Sequence, residues 1–326
     1  MSGRPALILS ALCLLAGQAM AFDIEAHRGG RALFPENTLV AFAGALSMGV
    51  DTLELDVGAT KDGVLVVSHE RRLNPDLARD GNGNYVAAPG TPLVELPLAA
   101  VKSYDFGQIR PDSAYAKQFP EQRAVPGTRM PTLKEVIELV RRSGNDKLRL
   151  NIETKIDPDH PAEAPDPETF VALLLGLLGA EGFSDRVMVQ SFDWRTLQLV
   201  QQRAPNVPTV YLTLQRGSAP NVSLTRATSW TAGYDPTDHG GSLPRTIKAA
   251  GGAIWSPYFG DVTPALISEA HDLKLSVVVW TVNKPEDMAR LIDMGVDGII
   301  SDRPDLLRRV AADKGLPLPV AFPVIP

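Results

Sequence analysis

The chain has 326 residues, with 32 basic and 38 acidic side chains that give a formal net charge of −6. A mildly acidic chain without a basic run argues against nucleic acid or an anionic membrane surface as a partner. The length exceeds that of a common single domain but stays within the range of the largest single-domain α/β folds. Composition therefore excludes some partners without choosing a function.

The first 21 residues have the layout of a secretory signal peptide. Arg4 gives a positive start, residues 7–17 are apolar, and Ala19-Met20-Ala21 matches a cleavage site. The apolar stretch is too short for a typical transmembrane helix. We therefore predict a cleaved signal peptide over residues 1–21, an exported protein in the periplasm or the medium, and no stable membrane anchor.

The one cysteine of the chain, Cys13, lies inside that signal peptide. The mature chain would begin near Phe22 and would contain no thiol. It would therefore form no disulfide and hold no cysteine-ligated metal, although an exporting compartment permits disulfides.

Short β-branched runs alternate with helical patterns along the mature chain. The strand candidates are Asp23–Ala26, Thr52–Val57, Leu148–Ile152, Val187–Gln190, Thr209–Leu214, Gly252–Trp255, Ser276–Trp280 and Gly298–Ile300. The helix candidates are Pro35–Met48, Thr132–Arg142, Thr169–Leu178, Trp194–Arg203, Thr263–Leu273 and Pro285–Met294. Eight strands alternating with helices predict an α/β fold, a TIM (β/α)8 barrel, with an open doubly wound sheet as the alternative. No Gly-rich dinucleotide motif opens a helix, which weakens that alternative.

One further apolar run, residues 64–68, falls outside the eight strands and follows the turn signal Asp62-Gly63. A turn at Lys61-Asp62 or at Asp62-Gly63 would pair this run with the second strand as a hairpin. A two-residue loop at Lys61-Asp62 would place Glu54 opposite His69, and a slip of one residue would remove the opposition. The hairpin therefore offers a route by which His69 reaches the strand ends.

The rest of the chain has a simple predicted organisation. Residues 22–315 form a single domain, and residues 71–130, which are irregular and rich in Pro, Gly, Asn and Asp, form an insertion over the barrel mouth. Residues 157–168 form a second long loop after a strand. Residues 316–326 form a Pro-rich, extended tail.

In an α/β barrel the active site lies at the carboxyl ends of the strands. In this chain those ends carry polar residues: His27, Arg28, Glu54, Asp56, Glu153, Lys155, Gln190, Asn283 and Asp302, together with Trp255 and Trp280. Three of them, Glu54, Asp56 and Glu153, supply the oxygen ligands that hard cations such as Ca²⁺ and Mg²⁺ prefer. The absence of cysteine and the small number of histidines disfavour zinc.

The same strand ends carry groups suited to phosphate-ester cleavage. Arg28 can bind a phosphate through its bidentate fork, and Lys155 adds a point charge. His27 and His69 titrate near working pH and can serve as general acid and base. These residues together predict cleavage of a phosphate ester assisted by a divalent cation.

The order of motifs resembles that of the glycerophosphodiester phosphodiesterase family of exported bacterial enzymes. The matching motifs are His27-Arg28-Gly29-Gly30, Pro35-Glu36-Asn37-Thr38, Glu54-Leu55-Asp56-Val57, Val66-Val67-Ser68-His69, Ile152-Glu153-Thr154-Lys155, Trp280-Thr281-Val282-Asn283 and Ser301-Asp302-Arg303-Pro304. They span nearly the whole mature chain. The resemblance implies a TIM barrel that hydrolyses deacylated phospholipids to sn-glycerol 3-phosphate and an alcohol. It also implies a divalent cation, with Ca²⁺ preferred over Mg²⁺ as the candidate.

Roles for individual residues follow from the same resemblance. His27 and His69 match the acid–base pair of the family, and the metal ligands correspond to Glu54, Asp56 and Glu153. Arg28 and Lys155 match phosphate contacts, and Trp280 matches an aromatic residue that lines the substrate pocket. Two departures are Glu70, where the family usually has Asp, and residues 71–77, where many members have a different pattern. They leave the headgroup preference open.

Two other functions remain as alternatives. A sphingomyelinase D-like phosphodiesterase or lyase would use similar groups and release a cyclic phosphate. A non-catalytic exported protein that binds phosphodiesters would need no acid–base pair, so the retention of both histidines argues against it. In every case the partner is a small molecule, and the oligomeric state stays open.

Overall fold

The computed structural model describes residues 22–217 and 219–326. The predicted signal peptide over residues 1–21, including Cys13, lies outside the described residues and stays a prediction. Within the described ranges, no helix combines the length and the apolar character needed to cross a bilayer.

Eight parallel strands form a closed barrel. They are β1 (Asp23–Ala26), β2 (Thr52–Ala59), β4 (Arg149–Thr154), β5 (Val187–Ser191), β6 (Thr209–Thr213), β7 (Ile254–Pro257), β8 (Ser276–Val279) and β9 (Gly298–Ser301). Each strand pairs with the next, and β1 closes the sheet by pairing with β2 on one side and β9 on the other. The predicted TIM barrel is confirmed, and the open doubly wound sheet is wrong.

Nine helices are found in the described part of the chain. They are α1 (Leu39–Met48), α2 (Leu98–Val101), α3 (Leu133–Arg142), α4 (Pro167–Ala180), α5 (Trp194–Arg203), α6 (Leu243–Ala249), α7 (Pro264–Asp272), α8 (Pro285–Asp293) and α9 (Pro304–Asp313). Helices α2, α6 and α9 were not predicted. Helix α1 begins at Leu39 rather than at Pro35, because the Thr38 side chain accepts a hydrogen bond from Ala41 N and caps the helix there. It ends at Met48 as predicted, and the next residue, Gly49, has a φ of +84°.

The barrel interior is divided into an apolar and a polar half. The apolar half is a separate cluster of five buried side chains from β5 to β9: Met188, Val210, Ile254, Val278 and Ile300. The polar half is hydrogen-bonded across strands, with Asn151 Nδ2 donating to Glu25 Oε2 at 2.9 Å and Gln190 Nε2 donating to Glu54 Oε1 at 2.7 Å. These two cross-strand hydrogen bonds thus lie on the wall built by β1, β2, β4 and β5.

Trp255 does not lie at the mouth. It is fully buried in the core between the sheet and the helices, where its Nε1 donates to Thr213 Oγ1 at 2.9 Å. The reason is a shift of β7, which runs over Ile254–Pro257 rather than over the predicted residues 252–255. Trp255 is therefore a packing residue.

A ninth strand, β3 (Leu65–Val67), forms the predicted antiparallel hairpin with β2. Val57 pairs with Val67, and the connecting loop has three residues and ends at Gly63, whose φ is +74°. The predicted two-residue loop is therefore wrong. The register is shifted by one residue, so Glu54 and His69 are not directly opposite each other. His69 still reaches the mouth because it lies beyond the end of the strand.

Residues 71–130 pack on a small hydrophobic cluster of their own that includes Leu73, Leu93, Val101 and Phe106. Tail residues run along α1, where Phe322 N donates to Leu46 O at 2.8 Å.

The boundaries of the single domain, of the insertion and of the tail remain predictions.

Candidate active site

The loop between β1 and α1 carries His27 and Arg28 at the mouth of the barrel. Arg28 has a φ of +50°, and Gly29 and Gly30 follow with φ values of +78° and +92°. A Cβ atom on Gly29 would lie 2.7 Å from the Cβ of Ala41, so this loop approaches α1 too closely for a side chain. The His-Arg-Gly-Gly motif therefore produces a tight turn that points His27 and Arg28 toward β2.

Glu54, Asp56 and Glu153 form one buried carboxylate cluster. Asp56 on β2 is paired in register with Glu153 on β4, and Glu54 precedes Asp56 by two residues on the same face. One oxygen from each of the three carboxylates lies within 4.8 Å of the others. Sequence reasoning expected these residues to meet, and they do.

The cluster fits a hard divalent cation. All its ligand atoms are oxygens, which Ca²⁺ and Mg²⁺ prefer. The buried Asp56 Oδ1 atom finds no hydrogen-bond donor among residues 22–217 and 219–326, as expected of an atom with another ligand to meet. Asp56 Oδ2, in contrast, accepts a hydrogen bond from Asn37 Nδ2 at 2.9 Å.

Two cations border the carboxylates. The Nε atom of Arg28 lies 3.2 Å from Asp56 Oδ2, and its backbone N–H donates to Glu54 Oε2 at 2.9 Å. Lys155 Nζ lies 2.7 Å from Glu153 Oε1 and 3.7 Å from Asp56 Oδ1. The predicted phosphate-binding residues therefore flank the predicted metal ligands on two sides.

Burial and neighbouring charges shift the pKa values of the three carboxyl groups in opposite directions. Burial and the nearby Asp56 raise the pKa of Glu54 well above its usual range. Burial and Asp56 also raise the pKa of Glu153 to about 7, although Lys155 opposes the shift. Burial alone would raise the pKa of Asp56, but Arg28 and other positive neighbours hold it below its usual range. The cluster therefore holds protons that a cation would displace.

His27 is held from behind by Asp302. Its Nδ1 atom lies 2.6 Å from Asp302 Oδ1, and its Nε2 atom lies 3.9 Å from Glu54 Oε2. Arg31 Nε donates to Asp302 Oδ1 at 2.7 Å, and Asn283 Nδ2 donates to Oδ2 at 2.7 Å. Burial would raise the pKa of Asp302, but His27 and Arg31 hold it low, so the carboxylate accepts and Nδ1 donates.

His69 lies across the cavity with a weaker support. Its Nδ1 atom lies 2.8 Å from Glu70 Oε1, and the Glu70 side chain is 49 % exposed. Loss of hydration lowers the pKa of His69 to about 4, and Arg28 and Lys155 act in the same direction. Burial likewise lowers the pKa of His27 to about 4. Both rings are therefore neutral near pH 7 in the absence of a ligand.

An open cavity, with about 520 Å³ of space when the solvent at its mouth is included, connects these groups. Its lining includes His27, His69, Arg28, Glu54 and Glu153, together with Arg31, Gln190, Phe192, Leu212, Trp280, Thr281 and Ile300. The Trp280 ring meets Phe192 edge to face, with centroids 5.3 Å apart, and its Nε1 donates to Ser256 O at 2.9 Å. One wall is thus charged and the opposite wall is aromatic and aliphatic.

All eight residues predicted for the site lie together at this mouth. Four further residues take part that sequence reasoning gave no role: Glu36, Asn37, Gln190 and Asp302. Gln190 lies near the end of β5 and Asp302 follows β9, and this position at a strand end was the signal that the sequence offered. Glu36 and Asn37 were assigned to a helix, although Asn37 has a φ of +56° and lies in the loop before it.

Comparison with known proteins agrees with this geometry. The Glycerophosphoryl diester phosphodiesterase family matches residues 27–306. A glycerophosphodiester phosphodiesterase of Bacillus subtilis (strain 168) is 31 % identical over 292 residues, which cover 87 % of this chain and 85 % of the relative. One from Bacillus altitudinis is 30 % identical over 282 residues, covering 86 % and 95 %.

Solved structures agree as well. A structure from Silicibacter pomeroyi, assigned as a glycerophosphoryl diester phosphodiesterase, has a TM-score of 0.82 and 37 % identity, covering 92 % of this chain and 96 % of that one. An Oleispira antarctica phosphodiesterase, solved with the product sn-glycerol-3-phosphate, shares the fold at a TM-score of 0.65 and 20 % identity, covering 90 % and 97 %. The chain is therefore an enzyme that belongs to the glycerophosphoryl diester phosphodiesterase family.

Proposed function

We propose that this enzyme hydrolyses glycerophosphodiesters to sn-glycerol 3-phosphate and an alcohol, with a divalent cation and a pair of histidines. The observation that carries the proposal is a cavity lined by two histidines, Arg28 and two of the three buried carboxylates. The third carboxylate, Asp56, and Lys155 contact these lining residues directly. The Oleispira antarctica relative, which was solved with sn-glycerol-3-phosphate, supports the choice of product.

Glu54, Asp56 and Glu153 would hold the cation, with Ca²⁺ as the first candidate and Mg²⁺ as the second. When bound, such a cation neutralises phosphate oxygens and stabilises the charge that develops during cleavage. Two of the three carboxyl groups have raised pKa values, and a divalent ion would relieve the like-charge repulsion that contributes to the shifts.

Arg28 and Lys155 orient the phosphodiester beside the carboxylates. Arg28 already has its guanidinium fixed by contacts to Asp56 and Glu36, so little side-chain freedom is lost when a phosphate binds. Trp280 and Phe192 supply the apolar wall against which carbon atoms of the substrate can pack. The substrate is thereby held with its phosphorus between the two histidines.

His27 and His69 exchange protons through their Nε2 atoms. The Nδ1 atom of each ring faces a carboxylate, Asp302 for His27 and Glu70 for His69, and this leaves Nε2 for the reacting groups. The negative charge of a bound phosphodiester raises the pKa of both rings and favours the protonated form of one. One histidine deprotonates the nucleophile, which is water or the glycerol 2-hydroxyl, and the other protonates the leaving alcohol.

The decisive experiment is a coupled assay for glycerol 3-phosphate with choline, ethanolamine, glycerol and inositol diesters, with and without chelator. We expect turnover that is lost with chelator and restored by Ca²⁺ or Mg²⁺. His27→Ala and His69→Ala should each lose activity by about 10²-fold or more, whereas His239→Ala, a change outside the cavity, should not. Turnover in the metal-free enzyme, or near-normal turnover by either cavity variant, would contradict the proposal.

Product analysis separates this function from its alternatives. Phosphorus NMR should show a phosphomonoester and no lasting cyclic phosphate, which a sphingomyelinase D-like lyase would leave. Tight binding of a diester without turnover would instead favour a binding protein.

We further propose that the enzyme is exported, with residues 1–21 removed. The supporting observation is the signal-peptide layout around Ala19-Met20-Ala21. Amino-terminal sequencing of protein from the periplasm or the medium should give a start at Phe22. Accumulation of the full-length chain in the cytoplasm would contradict this assignment.

A further inference from the structure

The loop that carries Arg28 is held in a conformation that its residues do not favour. Arg28 and Asn37, at the two ends of the loop, are both left-handed, with φ values of +50° and +56°. Both side chains point at Asp56 Oδ2. A residue with a bulky side chain, such as Arg28, is strained in this region and persists there only where the surroundings hold it. Contacts from other parts of the chain must therefore stabilise this loop conformation.

One segment of the insertion, residues 113–123, lies directly on that loop; we call it the brace segment. Gln122 Nε2 donates to Arg31 O at 2.7 Å, and Arg123 N donates to Leu33 O at 3.0 Å. The guanidinium of Arg31 lies over the Phe119 ring, 4.8 Å from its centroid. The insertion is thus attached to the loop that forms one side of the active-site cavity.

Tyr115 is the residue through which the brace segment reaches the charged network. Its hydroxyl donates to Glu36 Oε2 and accepts a hydrogen bond from Arg31 Nη1 at 3.3 Å. The other oxygen of Glu36 accepts a hydrogen bond from Arg28 Nη1 at 2.8 Å. Burial and the Glu36 carboxylate raise the pKa of Tyr115, so the hydroxyl keeps the proton that it donates.

The Tyr115 hydroxyl lies between Glu36, which is bonded to Arg28, and a second cation, Arg31. With the hydroxyl in place, Oε2 is occupied and the carboxylate stays on Arg28. Without the hydroxyl, Oε2 loses its donor, and the partly buried Arg31 becomes a competing positive partner for Glu36. Arg31 in turn bonds Asp302, which supports His27. The Tyr115 hydroxyl therefore links two networks. One runs through Glu36 to Arg28, and the other runs through Arg31 to Asp302, which supports His27.

We propose that Tyr115 of the insertion is a positioning residue, which fixes the Arg28 guanidinium through Glu36 for phosphate binding. This inference rests on the proposed function, because it assigns the phosphodiester to Arg28. The insertion would then position a phosphate-binding residue as well as cover the mouth of the barrel.

The test compares Tyr115→Phe with Tyr85→Phe. Both changes remove one hydroxyl from the insertion and keep the ring, but the Tyr85 hydroxyl donates to Gln108 O, away from the cavity. For Tyr115→Phe, with glycerophosphocholine and Ca²⁺, we expect a higher KM and about a tenfold loss of kcat/KM. Its affinity for inorganic phosphate, measured by calorimetry, should weaken by a similar factor. Tyr85→Phe should match the wild type in each measurement.

A double-mutant cycle tests the route through Glu36. Since Tyr115 acts on Arg28 through that carboxylate, Tyr115→Phe should add little to the loss caused by Glu36→Gln. Additive losses would overturn the route, and phosphate affinity and kinetics equal to those of Tyr85→Phe would overturn the inference. A fall in melting temperature with unchanged phosphate affinity would also overturn it. If the wild type hydrolyses no glycerophosphodiester, the proposed function fails, and the phosphate affinities still decide the role of Tyr115.

Discussion

The imidazole of His27 and the carboxylate of Asp302 are joined by a contact of 2.6 Å between Nδ1 and Oδ1 across 275 positions of sequence. Every group that faces Asp302 is a donor: His27 and Arg31 at Oδ1, and Asn283 at Oδ2. The carboxylate therefore fixes both the ring orientation and the tautomer of His27, in which Nε2 faces the cavity.

The first prediction concerns this contact. In Asp302→Asn, the amide must present an N–H to one of three donors, so His27 loses its fixed tautomer. We expect kcat to fall by about 10²-fold or more, with KM little changed, since Asp302 does not line the cavity. Asp193→Asn, a matched change at a buried carboxylate that caps α5, should retain activity. Steady-state kinetics measure kcat and KM for both variants, and equal kcat values would refute the role of Asp302.

The second prediction concerns stability with the cation. In the proposed function only the folded chain holds the three carboxylates together as ligands, so Ca²⁺ at about 100 times its Kd should add about 2.7 kcal/mol to the free energy of unfolding. A thermal melt with and without chelator measures this gain. Glu153→Gln should lose the response, whereas Asp157→Asn, at an acidic residue outside the cluster, should keep it. An equal response in both variants would place the ion elsewhere.

The third prediction is a pH dependence of cation binding. The pKa of Glu153 is raised to about 7 and that of Glu54 is raised as well, so the metal-free cluster carries protons below neutral pH. A cation must displace them, and its affinity should therefore fall as the pH drops from 8 to 6. Calorimetry in buffers of different ionisation enthalpy should show proton release at pH 6.5. Affinity independent of pH would mean that the carboxylates are already ionised.

The fourth prediction concerns the turn at Gly29. A Cβ there would lie 2.7 Å from Ala41 Cβ in a backbone with a φ of +78°. Gly144 has a similar φ of +72° but open space around it, so Gly144→Ala isolates the cost of the backbone alone. We expect about 1 kcal/mol of destabilisation for Gly144→Ala and about 1–3 kcal/mol more for Gly29→Ala. Urea unfolding measures both, and equal losses would show that α1 moves aside at little cost.

Much of the fold and the site follows from local sequence, for reasons that particular residues illustrate. Continuous apolar runs identified the eight barrel strands, and parallel closure then brought Glu153 and Lys155 to Glu54 and Asp56. Local patterns could not separate a two-residue from a three-residue loop before Val64, because Gly63 suits both. The hairpin register was therefore missed.

The other misses also have physical causes. Glu36 and Asn37 precede a helical pattern, and only the left-handed conformation of Asn37 shows that they belong to a loop. The roles of Asp302 and Tyr115 depend on contacts between distant parts of the chain, which spacing does not reveal. Long-range partners of charged residues were thus the part of the site that required the structure.

The double pairing of β1, with β2 on one side and β9 on the other, has a consequence for refolding. His27 follows β1 and Asp302 follows β9, so their contact forms only when the first and last strands of the barrel meet. Recovery of catalysis would therefore report the closing of the ring, whereas circular dichroism would report the earlier gain of helices and strands. A fragment that ends before β9 would be helical and inactive, and activity would return when the missing piece is supplied in trans.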